Sequence, residues 1–291
     1  MVINGAITAI VTPFKDGKFD EKAYEDLINW QISEGIHGLL SCGTTGEAST
    51  LDYDEHYRVI EVAVKIINKR VPVIVGTGSN STNETIEITM KAKELGADAA
   101  LIVTPYYNKP TQEGLYRHYK LVAEQVDIPI VLYNVPGRTS VNMLPSTVAR
   151  LSEIKNIVAI KEATGDMKQV SEIIRLCGDN ITVISGDDFT TLTLLALGGK
   201  GVISVSSNVA PKKVSEMCNA WFAGDIEKAR KLHYTLEPLN SAMFIETNPV
   251  PAKTALSMMG KIKDEVRMPL CEMSQANKDK LKSVLKSLGL L

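Results

Sequence analysis

Short apolar runs alternate with amphipathic stretches from about residue 5 to about residue 210, the pattern of βα units built around a parallel sheet. Eight runs read as strands: Ala6–Thr12, Gly38–Cys42, Pro72–Gly76, Ala99–Thr104, Pro129–Tyr133, Ile157–Lys161, Thr182–Ser185 and Gly201–Ser204. The segments between them carry helix starts, with Asp20 before Glu21-Lys22-Ala23, Thr82 before Asn83-Glu84-Thr85, and Pro145 at the first turn of Ser146–Leu151. Gly35, Gly96, Gly178 and Gly198 stand close behind helix ends, where a left-handed cap is needed. Eight such units in about 205 residues predict a compact (β/α)8 TIM barrel. An open doubly wound sheet is the rival fold, but Ala9-Ile10-Val11-Thr12-Pro13 lacks the glycine-rich first turn it would normally bring. Beyond residue 210 the pattern becomes helix after helix, over Lys212–Phe222, Ile226–Asn240, Val250–Met259 and Gln275–Leu288. No Pro/Gly/Ser-rich linker precedes them. The expected organisation is therefore a catalytic barrel over 1–210 and an all-α region over 211–291 packed on it.

At 291 residues and 44% hydrophobic content the chain is long enough to bury one large core. A net charge of −2 without a dense Lys/Arg cluster gives no footprint for nucleic acid or an acidic membrane surface. Cys42, Cys177, Cys218 and Cys271 form no CxxC pair, and His37, His56, His118 and His233 form no HxxxH or HxH spacing, so no metal site is expected. Met1–Phe14 shows no basic stretch followed by an apolar core, and no apolar run approaches the roughly 18 residues of a membrane span. A soluble cytoplasmic protein is expected. Gly76-Thr77-Gly78-Ser79 is only half of a GxGxxG and there is no Walker motif.

In such barrels the functional groups stand at the carboxyl ends of the strands, whatever the reaction. Lys161 follows Ile157-Val158-Ala159-Ile160, and Tyr133 follows Ile130-Val131-Leu132. A lysine whose stem starts in a barrel interior has a depressed pKa, which matters because an ordinary lysine is neutral in only about one molecule in several thousand at pH 7. Lys161 is therefore the candidate Schiff-base nucleophile, against the bland alternative of a solvated charge. Tyr133 is a candidate proton carrier, or else a barrel tyrosine with a satisfied hydroxyl. Thr44 and Tyr107 add hydroxyls at strand ends, and Gly43-Thr44-Thr45-Gly46 could turn its N–H groups toward a carboxylate or be an ordinary polar turn. Arg138, behind Gly137, is either a bidentate carboxylate clamp or a surface arginine. The negative charges of Asp187 and Asp188 after strand seven argue against a phosphorylated substrate there.

Gly43-Thr44-Thr45-Gly46-Glu47, Thr104-Pro105-Tyr106-Tyr107-Asn108, Tyr133-Asn134-Val135-Pro136-Gly137-Arg138, Ile160-Lys161-Glu162 and Ser185-Gly186-Asp187-Asp188 occur in this order, and together the chain closely resembles the dihydrodipicolinate synthases, also called 4-hydroxy-tetrahydrodipicolinate synthases. The resemblance runs from the first strand to the closing helices. It implies a pyruvate-dependent aldolase of lysine and diaminopimelate biosynthesis that condenses pyruvate with L-aspartate 4-semialdehyde and uses no cofactor beyond the covalent Schiff base. Carried over residue by residue, it implies that Lys161 forms the imine and that Tyr133 moves its protons. Thr44 would link Tyr133 to Tyr107, the latter reaching in from a neighbouring subunit. Thr45 and the backbone at Gly186 and Ile203 would hold pyruvate, and Arg138 would bind the semialdehyde carboxylate. It further implies a homotetramer made of two tight dimers. His56, Asn80, Glu84 and Tyr106 match the family's lysine-binding inhibitory site, whereas Ala48, Ser49 and Tyr53 depart from the strongly inhibited members, which carry Ser, Ala and His there. Weakened inhibition by lysine is expected.

Two other readings compete. Sister enzymes such as N-acetylneuraminate lyase or 2-keto-3-deoxy sugar-acid aldolases share the lysine and tyrosine, but Thr44 and Arg138 fit the synthase. A keto-acid-binding regulatory barrel without turnover would be expected to have lost Lys161 or Tyr133, and both are present.

Overall fold

The computed structural model describes residues 3–291; Met1 and Val2, part of the stretch considered above for a leader, lie outside the described residues. Eight strands form a closed parallel barrel: β1 (Gly5–Ala9), β2 (Gly38–Ser41), β3 (Val73–Gly76), β4 (Ala99–Val103), β5 (Ile130–Asn134), β6 (Ile157–Glu162), β7 (Thr182–Ser185) and β8 (Gly201–Ser204). Each strand lies beside its sequence neighbours and the last lies beside the first, as right-handed βα crossovers require. The fold is the TIM barrel expected from the alternating pattern.

Thr182–Ser185 and Gly201–Ser204 lie where expected, and the limits of the other strands shift by at most three residues. The largest shift is at β1, which ends at Ala9 because the chain then leaves the sheet; Thr12 donates instead to the Gly46 carbonyl at 2.7 Å. An additional antiparallel hairpin, Phe14–Lys15 with Lys18–Phe19, turns at Asp16-Gly17. Both turn residues have positive φ (54° and 76°), the geometry that makes Asp-Gly a two-residue hairpin turn. Asp20 caps the helix Glu21–Ser33 by accepting from the Ala23 N–H. In the helix Thr82–Glu94 the cap is Ser81, one residue earlier than expected. Gly35, Gly96, Gly178 and Gly198 all have positive φ, as helix-terminating glycines should.

Packing divides the chain into two compact units, one built on Ile74–Ile203 and the other on Gly5–Val73 with Ser204–Leu291. In the first, Ile102, Ile130, Leu132, Ile160 and Val183 face outward onto Leu115, Tyr119, Val122, Val148, Val170 and Ile173 of the helices. The pairing of β5 with β6 shifts register between Ile130 and Val131. That irregular step brings Ile157 and Ile160, three apart, onto the same helix-facing layer. In the second unit Pro211–Phe222 packs against β1, followed by Ile226–Ala242, Val250–Met258 and Gln275–Ser287. Among the described residues no helix is long and apolar enough to cross a membrane.

Candidate active site

The strand register sets the first element of the site. Val103 pairs with Tyr133, Tyr133 with Lys161 and Lys161 with Ile184, so these residues form one row near the carboxyl ends of β4 to β7. Because side chains alternate along a strand, Tyr133 and Lys161 point away from the layer that Leu132 and Ile160 pack against the helices. Lys161 Nζ lies 4.3 Å from the centroid of the Tyr133 ring, and both residues are only 6% exposed. Burial is the largest influence on the Lys161 ammonium and lowers its pKa from 10.5 to about 7; the Asp188 charge works to raise it, and Arg138 adds to the lowering. A large share of the molecules then carry Lys161 as the free amine at neutral pH.

Gly186 follows β7 and gives the lysine stem its passage. A Cβ there would come within 3.0 Å of Lys161 Cγ and Cε and 2.8 Å of Ala163 Cβ. Its N–H donates to the Glu162 carbonyl at 2.8 Å. On the opposite side of β6 from Lys161, the buried Glu162 carboxylate accepts from the Thr164 N–H at 2.8 Å, Asn134 Nδ2 at 3.2 Å and Gln169 Nε2 at 3.4 Å. Burial raises its pKa, and these donors work to lower it. Asn134 also accepts from the Met143 N–H at 3.0 Å, and its own bond to Glu162 ties β5 to β6 one residue past Tyr133 and Lys161. Glu162 and Asn134 stand inside the sequence motifs without an assigned role there; a carboxylate in an otherwise apolar strand is the signal that marks Glu162.

The second element lies in the other unit. The loop Gly43–Glu47 after β2 is closed by Gly46 N–H to Gly43 O at 3.0 Å and Glu47 N–H to Thr44 O at 3.1 Å. Thr45 is buried and its Oγ accepts from Asn248 Nδ2 at 3.0 Å, while Thr44 is half-buried. Glu47 forms a fully buried ion pair with Lys253, Nζ to Oε1 2.6 Å. Asn248 and Lys253 are thus tied to this loop although no local sequence pattern announced them, whereas Glu47 closes the Gly43-Thr44-Thr45-Gly46-Glu47 motif.

Arg138 sits exposed on the short turn Pro136–Thr139 beyond β5, close enough for its charge to act on Lys161. Ile203 is buried in β8. Tyr107 is 89% exposed with φ +70°, the most exposed large side chain of its segment, and Tyr106 beside it is also exposed. Of the residues matched to a lysine-binding site, Ala48 and Ser49 occupy a single helical turn, Ala48–Thr50, and Tyr53 and His56 begin the helix Tyr53–Ile67, where the Tyr53 and Tyr57 rings stack at 6.1 Å. Asn80, Glu84 and Tyr106 belong to the other unit; Ser79 Oγ donates to Glu84 at 2.6 Å and Asn108 Nδ2 donates to the Asn80 carbonyl at 2.8 Å. Among the described residues no group of three or more His, Cys, Asp or Glu side chains is placed to hold a metal ion.

Residues 2–288 match the model of the dihydrodipicolinate synthetase family. The 4-hydroxy-tetrahydrodipicolinate synthase of Thermodesulfovibrio yellowstonii is 73% identical and that of Geotalea daltonii 61% identical, each over 100% of both chains. Among solved structures, the chloride-inhibited dihydrodipicolinate synthase from Acinetobacter baumannii complexed with pyruvate superimposes with a TM-score of 0.98 at 49% identity over 100% of both chains. The enzyme from Cyanidioschyzon merolae with lysine bound gives 0.96 at 39% identity over 99% of both chains. With its strand-end lysine and tyrosine in register and full-length similarity on every side, the chain belongs to the dihydrodipicolinate synthetase family.

Proposed function

We propose that the protein is a 4-hydroxy-tetrahydrodipicolinate synthase, a Schiff-base lyase that condenses pyruvate with L-aspartate 4-semialdehyde in the first committed step of diaminopimelate and lysine biosynthesis. The observation that carries the reading is the buried Lys161 nitrogen 4.3 Å from the Tyr133 ring, where burial lowers the lysine pKa toward neutrality. The neutral amine attacks C2 of pyruvate, and loss of water gives the imine. Protonation of the imine nitrogen and removal of a C3 proton convert it to an enamine, whose C3 then forms the new carbon–carbon bond with the aldehyde carbon as the aldehyde oxygen takes a proton. The amino group that came with the semialdehyde then attacks C2 of the resulting iminium and, losing a proton, displaces the Lys161 amine. Tyr133 is assigned these proton movements, with Thr44 passing them on to Tyr107.

Pyruvate's carboxylate is assigned to Thr45 and to the backbone around Gly186 and Ile203. Arg138, exposed beyond β5, is assigned the semialdehyde carboxylate, a planar partner for its guanidinium. No cofactor is required beyond the covalent intermediate on Lys161. Tyr107, almost fully exposed in one chain, suits a relay completed by a second copy, which supports a homo-oligomer, a tetramer of two dimers in this proposal. Residues 1–210 would form the catalytic barrel and 211–291 the helical region that packs on it, in a cytoplasmic enzyme. At the lysine site, Glu84 retains a carboxylate for an ammonium, but the changes at Ala48, Ser49 and Tyr53 favour weak inhibition; a micromolar inhibition constant for lysine would overturn that part.

The test is to incubate the protein with pyruvate, reduce with borohydride and map the adduct by mass spectrometry, then to assay pyruvate with L-aspartate 4-semialdehyde and, separately, with N-acetylmannosamine. An adduct on Lys161 and turnover with the semialdehyde are expected. No adduct would indicate a binding barrel, and turnover with the amino sugar alone would indicate a sister lyase.

A further inference from the structure

Nothing in the chemistry assigned to Lys161 uses the buried ion pair between Glu47 and Lys253, yet it grips one end of the Gly43–Gly46 loop. That loop is bounded by two residues in the left-handed region, Cys42 at φ 53° and Glu47 at φ 54°. Neither is glycine. Side chains with a Cβ persist in that region only where the surroundings over-determine them, and such strain gathers at functional sites.

The surroundings of Glu47 meet that condition. Its Oε1 accepts from Lys253 Nζ at 2.6 Å and its Oε2 from the Arg267 backbone N–H at 2.9 Å. Lys253 Nζ stands 4.1 Å from the centroid of the Phe14 ring, and the Arg267 guanidinium 4.2 Å from the same ring. Arg267 in turn donates to the Thr50 carbonyl at 3.0 Å and pairs with Glu55, fixing the chain just after the loop. Just before the helix that carries Lys253, Asn248 Nδ2 donates to Thr45 Oγ at 3.0 Å. Since that bond uses Thr45 oxygen as an acceptor, the threonine's own hydroxyl proton is left to donate elsewhere, as binding a carboxylate demands.

A purely stabilising role explains this poorly. Buried ion pairs are commonly replaced by apolar groups of similar volume without loss of stability, so a charged pair with every oxygen directed points to geometry instead. We propose that Glu47 and Lys253 are positioning residues for pyruvate: the pair holds the left-handed end of the Gly43–Gly46 loop so that Thr45 is presented to the substrate carboxylate. The inference rests on the assignment of that carboxylate to Thr45. It also gives the segment after the barrel a part in substrate binding.

The test compares the full-length wild type with the double variant Glu47→Gln/Lys253→Met, which removes both charges and leaves neither unpaired. Thermal melting checks the fold. The pyruvate concentration that half-saturates the borohydride-trapped adduct on Lys161 is then measured, together with kcat and KM for both substrates. A rise of about tenfold or more in the pyruvate constant is expected, with KM for the semialdehyde within about twofold. If the double variant does not fold, Glu47→Gln alone, which keeps the shape and one acceptor oxygen, should raise the pyruvate constant by about threefold or more. A folded variant with the wild-type pyruvate constant, or an equal rise for both substrates, would overturn the proposal. Failure of the wild type itself to form an adduct on Lys161 is a different result: it removes the functional reading and this proposal with it.

Discussion

The Lys161 amine predicts an unusual pH dependence. With a pKa moved from 10.5 to about 7, the free-amine fraction at pH 7 rises from about one in three thousand to about one half, a shift of about 5 kcal/mol in the balance between ammonium and amine. Imine formation requires the amine. The rate of adduct formation with pyruvate should therefore climb with pH about a midpoint near 7 and level off by pH 8 to 9, instead of climbing toward 10. Rapid mixing with pyruvate at each pH for milliseconds, a quench in borohydride at one fixed pH, and quantitative mass spectrometry of Lys161 measure it. The causes can be separated. Asp188 works to keep the ammonium, so Asp188→Asn should lower the midpoint and speed labelling at pH 6; Arg138 opposes the ammonium, so Arg138→Ala should raise the midpoint. A wild-type midpoint above 9 would place the amine in an ordinary solvated setting and refute the argument from burial. Shifts of the opposite sign in the two variants would refute the assigned causes.

Tyr133→Phe keeps the ring over Lys161 and removes only the hydroxyl, so turnover should fall about 10²-fold with the melting temperature unchanged; unaltered turnover would take Tyr133 out of the proton path. Arg138→Ala should raise KM for the semialdehyde far more than the half-saturating pyruvate concentration, and an equal loss of both would show the guanidinium is misassigned. Gly186→Ala should suppress the borohydride-trapped adduct because the added methyl meets Lys161 Cγ and Cε at 3.0 Å; a wild-type adduct yield would mean the stem has room to move. His118, buried and bonded to Thr82 at 2.9 Å, has its pKa lowered by burial to about 4. The unfolded chain takes up that proton near 6.5 while the folded one does not, so its share of stability is intact above 6.5 and is lost progressively down to pH 4, by at most about 3 kcal/mol. Urea unfolding at pH 7 and 4.5 should show a smaller acid loss for His118→Gln than for the wild type, and an identical loss would exclude the imidazole as a cause.

The barrel was legible because its signals are local. An apolar run of four to six residues, a cap such as Asp20 and a helix-ending glycine such as Gly96 each act over a few positions, and their eightfold repetition leaves few topologies. The hairpin at Asp16-Gly17 also had a local signal, but strands of two residues are too short to show periodicity. Lys161 and Tyr133 could be proposed together because both end buried strands, and sequence order then fixes that β5 and β6 are neighbours. Which residues lie in register is finer than sequence can resolve: the irregular step at Ile130/Val131 decides that Tyr133 pairs with Lys161. The long-range ties were out of reach. Thr45 and Asn248 are 203 positions apart, and Glu47 and Lys253 are 206 apart.

Lys161 and Lys253 show where pattern alone gives out. Each is a lysine set among apolar residues, Ile157-Val158-Ala159-Ile160 before one and Val250-Pro251-Ala252 before the other, and burial lowers the pKa of both. By sequence they are equal candidates for a nucleophile, apart from the strand end that favours Lys161. The structure separates them through the company of each nitrogen. Lys253 Nζ is held at 2.6 Å from a carboxylate, with an aromatic ring on another side, so its lone pair, if freed, would face Glu47 and no carbonyl carbon could approach. On Lys161, Asp188 acts through its charge and is outweighed by desolvation, which leaves an amine without a carboxylate bound to it as a competitor for the substrate. Glu162, buried next to Lys161, is handled in a third way, by three donors that satisfy the carboxylate while facing away from the reactive row. A buried charge can thus be neutralised, paired or solvated by fixed dipoles. Only the first of these makes a nucleophile at neutral pH, which is why the reaction is assigned to Lys161 and the shaping of the site to Lys253.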